Sequence, residues 1–325
     1  MPFPTDTISV EGFPRILPRF LFQEVIAMKL GAVLIAAGCS RDPMRPSGTI
    51  CAAQRLIAAL QKSGAGWITV VTGPEDRKQE RQMAGQGVCF LHCEAPGHRE
   101  NALALGLEAM AGKCSRLFLL STDHSLVEPR TLDQLIRSDG ELVIPTWKDK
   151  PGQPLLMNQA CLSRILEGGD IPPLAAWSRL PGSTLLPVED RGVLAATEAR
   201  EQDRRLLDRL DRMLTRPTVE LAITRGKTLV DGKLVTLLYL IGETLSVRIA
   251  CSRMQISYST AWNLLDSAEE ALGYPLVLRN KGGPSGCGTL LTEKGRALLQ
   301  AYQQFESAAR EQMEQLYSTY LGSVL

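Results

Sequence analysis

The spacing of apolar positions changes character once along this chain, near residue 215, and the change divides it in two. From Leu30 to about Leu210, short apolar runs alternate with segments of helical spacing. "GAVLIAAG" (31–38), "WITVVTG" (67–73), "VCFLHC" (88–93), "RLFLLSTD" (116–123) and "LVIPT" (142–146) are short and almost continuously apolar, as strands buried on both faces are. Between them, "ICAAQRLIAALQKSG" (50–64), "DRKQERQMAGQG" (76–87), "ENALALGLEAM" (100–110) and "PRTLDQLIRSDG" (129–140) predict helices. Such alternation implies an α/β domain, a Rossmann-like, mostly parallel sheet covered on both faces. Ligands of these sheets bind beyond the carboxyl ends of strands. Two of those ends carry suggestive chemistry: Gly38-Cys39-Ser40 after the first strand and Asp123 after the fourth.

The charged stretch "EAREQDRRLLDRLDRML" (198–214) predicts one helix, ended by Thr215-Arg216-Pro217 because a residue before proline avoids helical backbone. The domain boundary is expected there, giving an α/β domain over 29–214 and a second domain over 215–325. Residues 1–28, with four prolines in the first twenty positions, are expected to be a poorly ordered extension. Met28 directly precedes the first strand, so the native start is open at this point.

Past the boundary come two short segments, "TVELAIT" and "GKTLVDG", then three helical patterns, "KLVTLLYLIGE", "LSVRIACSRM" and "SYSTAWNLLDSAEEALG". "PLVLR", the glycine-rich "NKGGPSGCG" and "TLLT" read as strand, loop and strand, and a long amphipathic helix follows. Helix, tight turn, helix and hairpin is the order of a winged helix-turn-helix. Ser257 is placed to cap the second helix of the motif, whose first turn would offer Tyr258, Ser259 and Thr260 to a major groove. Trp262, Leu264 and Leu265 would face mostly inward. Arg279, Lys281 and Gly283 of the wing would meet phosphates. The last helix carries Leu298, Leu299, Tyr302, Phe305, Met313 and Leu316, a stripe too long for this small domain to cover. A homodimer, matched to two half-sites on double-stranded DNA, is the expected use of it.

Composition narrows this picture little. The 325 residues suit two globular domains, and 44% apolar with 22% charged is ordinary. A net charge of +1 supplies no global field toward nucleic acid or membrane, and residues 216–325, with 11 Lys/Arg and 10 Asp/Glu, are equally balanced. Any basic contact surface must be local. No run is long and apolar enough to span a bilayer and the start lacks a signal-peptide pattern, so no membrane partner and a cytoplasmic location are expected. The eight cysteines are then expected to be thiols. Cys89, His92, Cys93 and His98 have ligand-like spacing, but strand alternation puts Cys89 and Cys93 on one face and His92 on the other, which favours a buried strand. His124 could reach a ligand phosphate or be a solvated loop residue.

"ISYSTAWNLLDSAEEALGYPLVLRNKGGPSGCGTLLTEKGRALLQAY" resembles the DNA-binding domain of the molybdate-responsive regulators (ModE-type, related to LysR-type N-termini). Ser257, Tyr258, Ala261 and Trp262 match its opening, Leu276, Val277 and Arg279 its strand, Gly282, Gly283, Gly286 and Gly288 its wing, and Leu291, Thr292 and Gly295 its closing motif. Ser259 stands where the family usually has a basic residue, and the family's C-terminal molybdate-binding modules are missing. The resemblance implies a DNA-binding regulator whose sensor lies N-terminal.

"LIAAGCS" resembles the opening of the molybdopterin nucleotidyltransferases (MobA/MocA-type), within the wider nucleotide-diphospho-sugar transferase-like group, whose loop runs Leu-Ala-Ala-Gly-x-Ser-x-Arg-Met-Gly-x-x-Lys. The resemblance implies backbone contacts to a nucleotide at Ala36, Ala37, Gly38 and Ser40, with cations beyond. Arg41 stands one position early, Arg45 occupies the glycine slot, and no lysine follows before Lys62, so Arg41 and Arg45 are the candidate catalytic cations. In "HRENALALGLEAM" the family's arginine is kept as Arg99, and Ala102 replaces a serine. "STDHSLV" keeps the metal-binding carboxylate as Asp123, with Ser125 for proline; "PGQPLLMN" keeps Gly152 and Pro154 around Gln153; "GVLAATEAREQD" has Ala196 and Glu198 in place of two aspartates. The resemblance thus implies Mg²⁺ on Asp123 and Glu198, and a nucleotide or molybdopterin-like small molecule as ligand. Two functions stay open. One is a DNA-binding transcriptional regulator of molybdenum-linked genes whose degenerate transferase-like domain senses a ligand; the other is an active molybdopterin cytidylyl- or guanylyltransferase with an appended DNA-binding domain.

Overall fold

The computed structural model describes the chain apart from residues 1–27, 41, 48–49, 75, 85–86, 95–98, 170, 172, 280–287, 323 and 325. Arg41, His98, Lys281, Gly283 and all of the expected extension except Met28 therefore lie outside the described residues. Met28 itself opens the first strand.

The continuous apolar runs become the centre of one sheet. β1 (Met28–Ile35) lies between β4 (Trp67–Thr72) and β6 (Cys114–Ser121), parallel to both, and β5 (Val88–His92) pairs parallel with β4. Two small strands, β2 (Pro46–Ser47) and β3 (Ile50–Cys51), form a separate ribbon after β1. Beyond β6 come β7 (Leu142–Trp147), β8 (Lys150–Pro151), β9 (Leu155–Asn158) and β10 (Ser183–Pro187). Sheet order is β10-β7-β9-β6-β1-β4-β5, with β8 on β7. β9 runs antiparallel between β6 and β7, so the sheet is mostly, not wholly, parallel.

Alternation along β1 sorts the two helical layers. Leu30, Ala32 and Leu34 pack with α1 (Ala52–Lys62), α2 (Arg77–Met83) and α4 (Pro129–Arg137). Val33 and Ile35 pack with α3 (Arg99–Met110) and α5 (Gln159–Glu167). The single charged helix expected over 198–214 is two: α6 (Glu198–Glu201) and α7 (Arg204–Met213). Asp203 separates them, accepting hydrogen bonds from the backbone of Arg205 and Leu206 at 3.1 and 3.2 Å and so starting a new helix. α7 is tied to α1 by Arg55, a buried guanidinium bonded to Asp211 at 2.5 Å and to Ser47.

A hairpin of β11 (Ala222–Arg225) and β12 (Lys227–Asp231) leads into the helical region. There α8 (Gly232–Thr244), α9 (Val247–Met254) and α10 (Tyr258–Leu272) surround a core that includes Leu237, Leu238, Ile241, Ala261 and Leu265. β13 (Val277–Leu278) and β14 (Leu290–Leu291) form the base of the wing, and α11 (Glu293–Tyr320) closes the chain. The fold is a winged helix-turn-helix behind a mostly parallel α/β sheet.

Core packing continues across the junction of the two units. The Trp67 and Tyr239 rings lie 4.4 Å apart, Cys89 of β5 belongs to the helical core, and Lys113 pairs with Glu243. Cys89 and Cys93 face away from His92, which meets Glu80 at 3.0 Å, so the strand reading of that cluster holds. Among the described residues no disulfide forms, and no helix is long and apolar enough to cross a membrane.

Candidate functional site

Beyond the carboxyl ends of β1 and β6 the chain makes a polar crevice. At Gly38 the backbone takes φ 63°, which ends β1, and a Cβ added there would stand 3.6 Å from the Arg99 backbone. Most polar groups that should meet a phosphate there already have partners. The N–H groups of Ala36 and Ala37 donate to Val71 O at 2.9 and 3.0 Å, and that of Cys39 to Ala36 O at 3.4 Å. Ser40 donates to Asp123 through its hydroxyl at 2.8 Å and its N–H at 3.3 Å.

Arg99, at the start of α3, donates to Asp123 Oδ2 at 3.2 Å, the oxygen that also accepts from Ser40 N–H, and reaches Cys39 Sγ at 3.6 Å. Its side chain is 35% exposed, and its Nε has no partner among the described residues. Among the described residues it is a cation of the crevice not fully paired. Burial raises the Cys39 thiol pKa, so Cys39 stays protonated at neutral pH.

Arg45 is placed differently. Its Nε meets both Glu201 oxygens at 2.9 Å, Nη1 meets Asp42 O at 3.0 Å, and Nη2 meets Glu201, Thr122 O and Ser125 Oγ. Ser125 Oγ also donates to Glu201, at 2.5 Å. Every nitrogen of this candidate cation is taken up in a clamp joining the loop, the end of β6 and α6. Sequence reasoning does not single out Glu201, and no local pattern marks it.

The end of β6 is held from two more sides. Gln153 accepts from Ser121 N–H at 2.7 Å, and Ala196 N–H donates to Asp123 O at 2.7 Å. Gly152 allows that approach, because a Cβ there would stand 2.2 Å from Val193 O. His124 is half-buried and not free: Nδ1 lies 3.0 Å from Ser121 Oγ, and burial lowers its pKa to about 4.

Asp123 is brought together with Ser40 and Arg99, whereas Glu198 is exposed and accepts from Gln202 at 3.2 Å. Among the described residues no group of three His, Cys, Asp or Glu could hold a metal. Asp123 is the expected ligand that the crevice presents, and one carboxylate together with the phosphates of a bound nucleotide is the smallest arrangement that fits Mg²⁺.

In the helical region, Ser257 caps α10, accepting from Thr260 N–H at 3.1 Å. The hydroxyls of Ser257, Ser259 and Thr260 bond one another at 2.7 to 2.9 Å, and all three residues are exposed. Tyr258 is 53% exposed and meets Trp262 edge-on. Leu265 is buried while Trp262 and Leu264 are half-buried. Arg279 lies over the Trp262 ring at 4.8 Å and pairs with Asp266 and with Glu269 at 2.8 Å, so its guanidinium is engaged by α10. On α11 the apolar stripe is covered at Leu299 and Tyr302, then opens at Phe305 (51% exposed) and Leu316 (56%).

The helix-turn-helix turn touches the sheet domain directly. Gln255 Nε2 donates to Glu80 Oε2 at 2.7 Å. Glu80 is fully buried and also engages His92 and the Thr72 hydroxyl.

Residues 43–173 match the family of the MobA-like NTP transferase domain. The C-terminal part is similar to curated proteins. It is 38% identical over 77 residues to "Transcriptional regulator ModE" of Haemophilus influenzae, covering 24% of this chain and 30% of that protein. It is also 36% identical over 73 residues to "Molybdenum-pterin-binding protein MopB" of Rhodobacter capsulatus, covering 22% and 27%. The chain spans about a third of the length of the curated relatives it matches. Among solved structures it is similar to Rv0371c of Mycobacterium tuberculosis (TM-score 0.46, 18% identity, 56% of this chain and 99% of that one). It is likewise similar to a nucleotidyl transferase from Methanothermobacter (TM-score 0.44, 18% identity, 57% and 98%).

Proposed function

We propose that the protein is a dimeric, DNA-binding transcriptional regulator linked to molybdenum metabolism, with the transferase-like domain as its ligand sensor. The observation that carries this is the first turn of α10. Its hydroxyls and the Tyr258 ring stand free of the protein core at the N-terminus of a capped helix in a helix-turn-helix. Similarity of the same region to a ModE regulator and to MopB supports the molybdenum link. The uncovered end of the α11 stripe supports pairing of two copies.

The crevice supports sensing over catalysis. Nucleotidyl transfer depends on cations poised at the triphosphate and leaving pyrophosphate. Here the loop lysine is missing, Arg45 is engaged by Glu201, and Glu198, the second expected carboxylate, is exposed and bonded to Gln202. Among the described residues Arg99 is left to meet an anion, as in a nucleotide or pterin phosphate, and Mg²⁺ would come with the phosphates rather than reside in the crevice.

A contiguous set of contacts leads from that crevice to the DNA-reading element. Ala36 and Ala37 bond Val71; the next residue, Thr72, bonds Glu80; Glu80 bonds Gln255 in the turn before α10. A ligand that favours one arrangement of this chain of contacts changes DNA affinity by its differential binding to the two arrangements.

The test is titration of promoter-sized duplexes with the full chain across a salt series, with and without CTP, GTP, molybdate or a pterin. Affinity is expected to fall steeply with salt and to change with one of the ligands. No salt-sensitive binding to any duplex would sink the regulator.

A further inference from the structure

Where the helix-turn-helix meets the sheet domain, the two enclose a cavity of about 350 Å³. Arg81 and His92 line it from the sheet side, and Ser252, Gln255 and Ser257 from the helical side. No carboxylate lines it among the described residues. The nearby Glu80 is fully buried, with His92, Gln255 and Thr72 on its oxygens. Arg81 is exposed and has neither a hydrogen bond nor an ion pair among the described residues.

Ser257 is both a wall of this cavity and the cap of α10. Arg81 therefore faces the same concavity as the N-terminus of the helix whose first turn is open. A helix seated in a major groove, about 12 Å wide, has a phosphate strand on either flank. A guanidinium beside the N-terminus of such a helix meets the backbone, not base edges, and suits phosphate because its donors form a planar fork. Arg81, Ser252 and Ser257 are all exposed, so the cavity opens beside the first turn of α10. A site built for a free oxyanion would instead bury its cation.

We propose that Arg81 is a DNA-backbone contact and that this cavity seats one phosphate of the duplex read by α10. The Gln255–Glu80 bond and the Lys113–Glu243 pair hold the cation in place relative to the helix. The transferase-like domain thereby forms part of the DNA-binding surface. This rests on the DNA-binding reading above.

The experiment compares the full chain with Arg81→Ala, Arg81→Lys and, as a control of equal charge change on α11, Arg310→Ala. The probe is a random-sequence duplex of promoter length, titrated across a KCl series, because phosphate contacts dominate such binding. For Arg81→Ala, the slope of log affinity against log salt should become shallower by about 0.9 for each phosphate that is no longer neutralised, with Kd raised about eightfold at ~0.1 M salt. Arg81→Lys should recover much of this, Arg310→Ala should match the unmodified chain, and all variants should melt alike. If the unmodified chain binds no duplex, the DNA-binding reading falls and takes the proposal with it. If the chain binds and Arg81→Ala keeps both slope and affinity, the proposal alone falls. It also falls if inorganic phosphate raises the Tm through Arg81 while duplex binding ignores the substitution, since the cavity is then a free-anion site.

Discussion

The crevice at the ends of β1 and β6 and the first turn of α10 are both polar, both at element ends, and both marked by family motifs. They differ in what their polar groups do. In the crevice, Ala36, Ala37 and Ser40 donate inward, Arg45 is clamped by Glu201, and Asp123 already holds Ser40 and Arg99. On α10 the hydroxyls bond only neighbours in their own turn, and Tyr258 faces solvent. A motif gives the position of a group; whether the group is available to a ligand depends on partners far away in the chain. Among the described residues, Arg45 and Asp123 of the first region are engaged within the chain, while the first turn of α10 is open.

The contrast can be broken most severely at Arg45. If the clamp is structural, Arg45→Ala leaves Glu201 buried without its cation and should cost about 3 kcal/mol or more in urea unfolding. A modest loss of ligand binding with unchanged stability would instead mean that Arg45 is reserved for a ligand.

Next in size is the response to acid. His124 has its folded pKa lowered to about 4 by burial, below the ordinary value near 6.5. Between those values the unfolded chain binds the extra proton, so stability is full above about pH 6.5 and falls as pH drops toward 4. The loss should total about 3 kcal/mol, and His124→Asn should flatten this part of the pH–stability curve. An unchanged curve would show that His124 is open to solvent.

Replacement of Tyr258 by Ala should weaken sequence-selective duplex binding about tenfold without altering Tm or the salt slope, as removal of a base-edge contact does. A changed salt slope would reassign Tyr258 to the backbone.

The smallest effect is expected at the junction. Gln255→Ala removes one of several hydrogen bonds to a buried carboxylate and should cost about 1.5 kcal/mol. Its informative consequence is loss of any ligand effect on DNA affinity while affinity itself persists.

Much of the fold was legible because buried parallel strands are continuously apolar, and β1, β4, β5, β6 and β7 all lie within or close around the runs that predict them. β9 escapes such reading because its four residues sit inside a Pro-flanked stretch that reads as a loop. β10, an edge strand with exposed positions, has no strong apolar pattern to find. The break at Asp203 is hidden by the charge around it, since a capping aspartate looks like any other acidic position. In the site, Gly38, Ser40, Arg99 and Asp123 could be placed from local motifs. The clamp Arg45–Glu201, spanning 156 positions, and the contact Gln255–Glu80, spanning 175, could not, because nothing in a local window records which distant carboxylate a cation meets.

Pyrophosphate release by the full chain, given CTP or GTP with Mg²⁺ and a molybdopterin acceptor, tests the engaged crevice most directly. No turnover above the buffer rate is the expected result. Clear turnover that disappears in Asp123→Ala would contradict it and make the protein a working transferase.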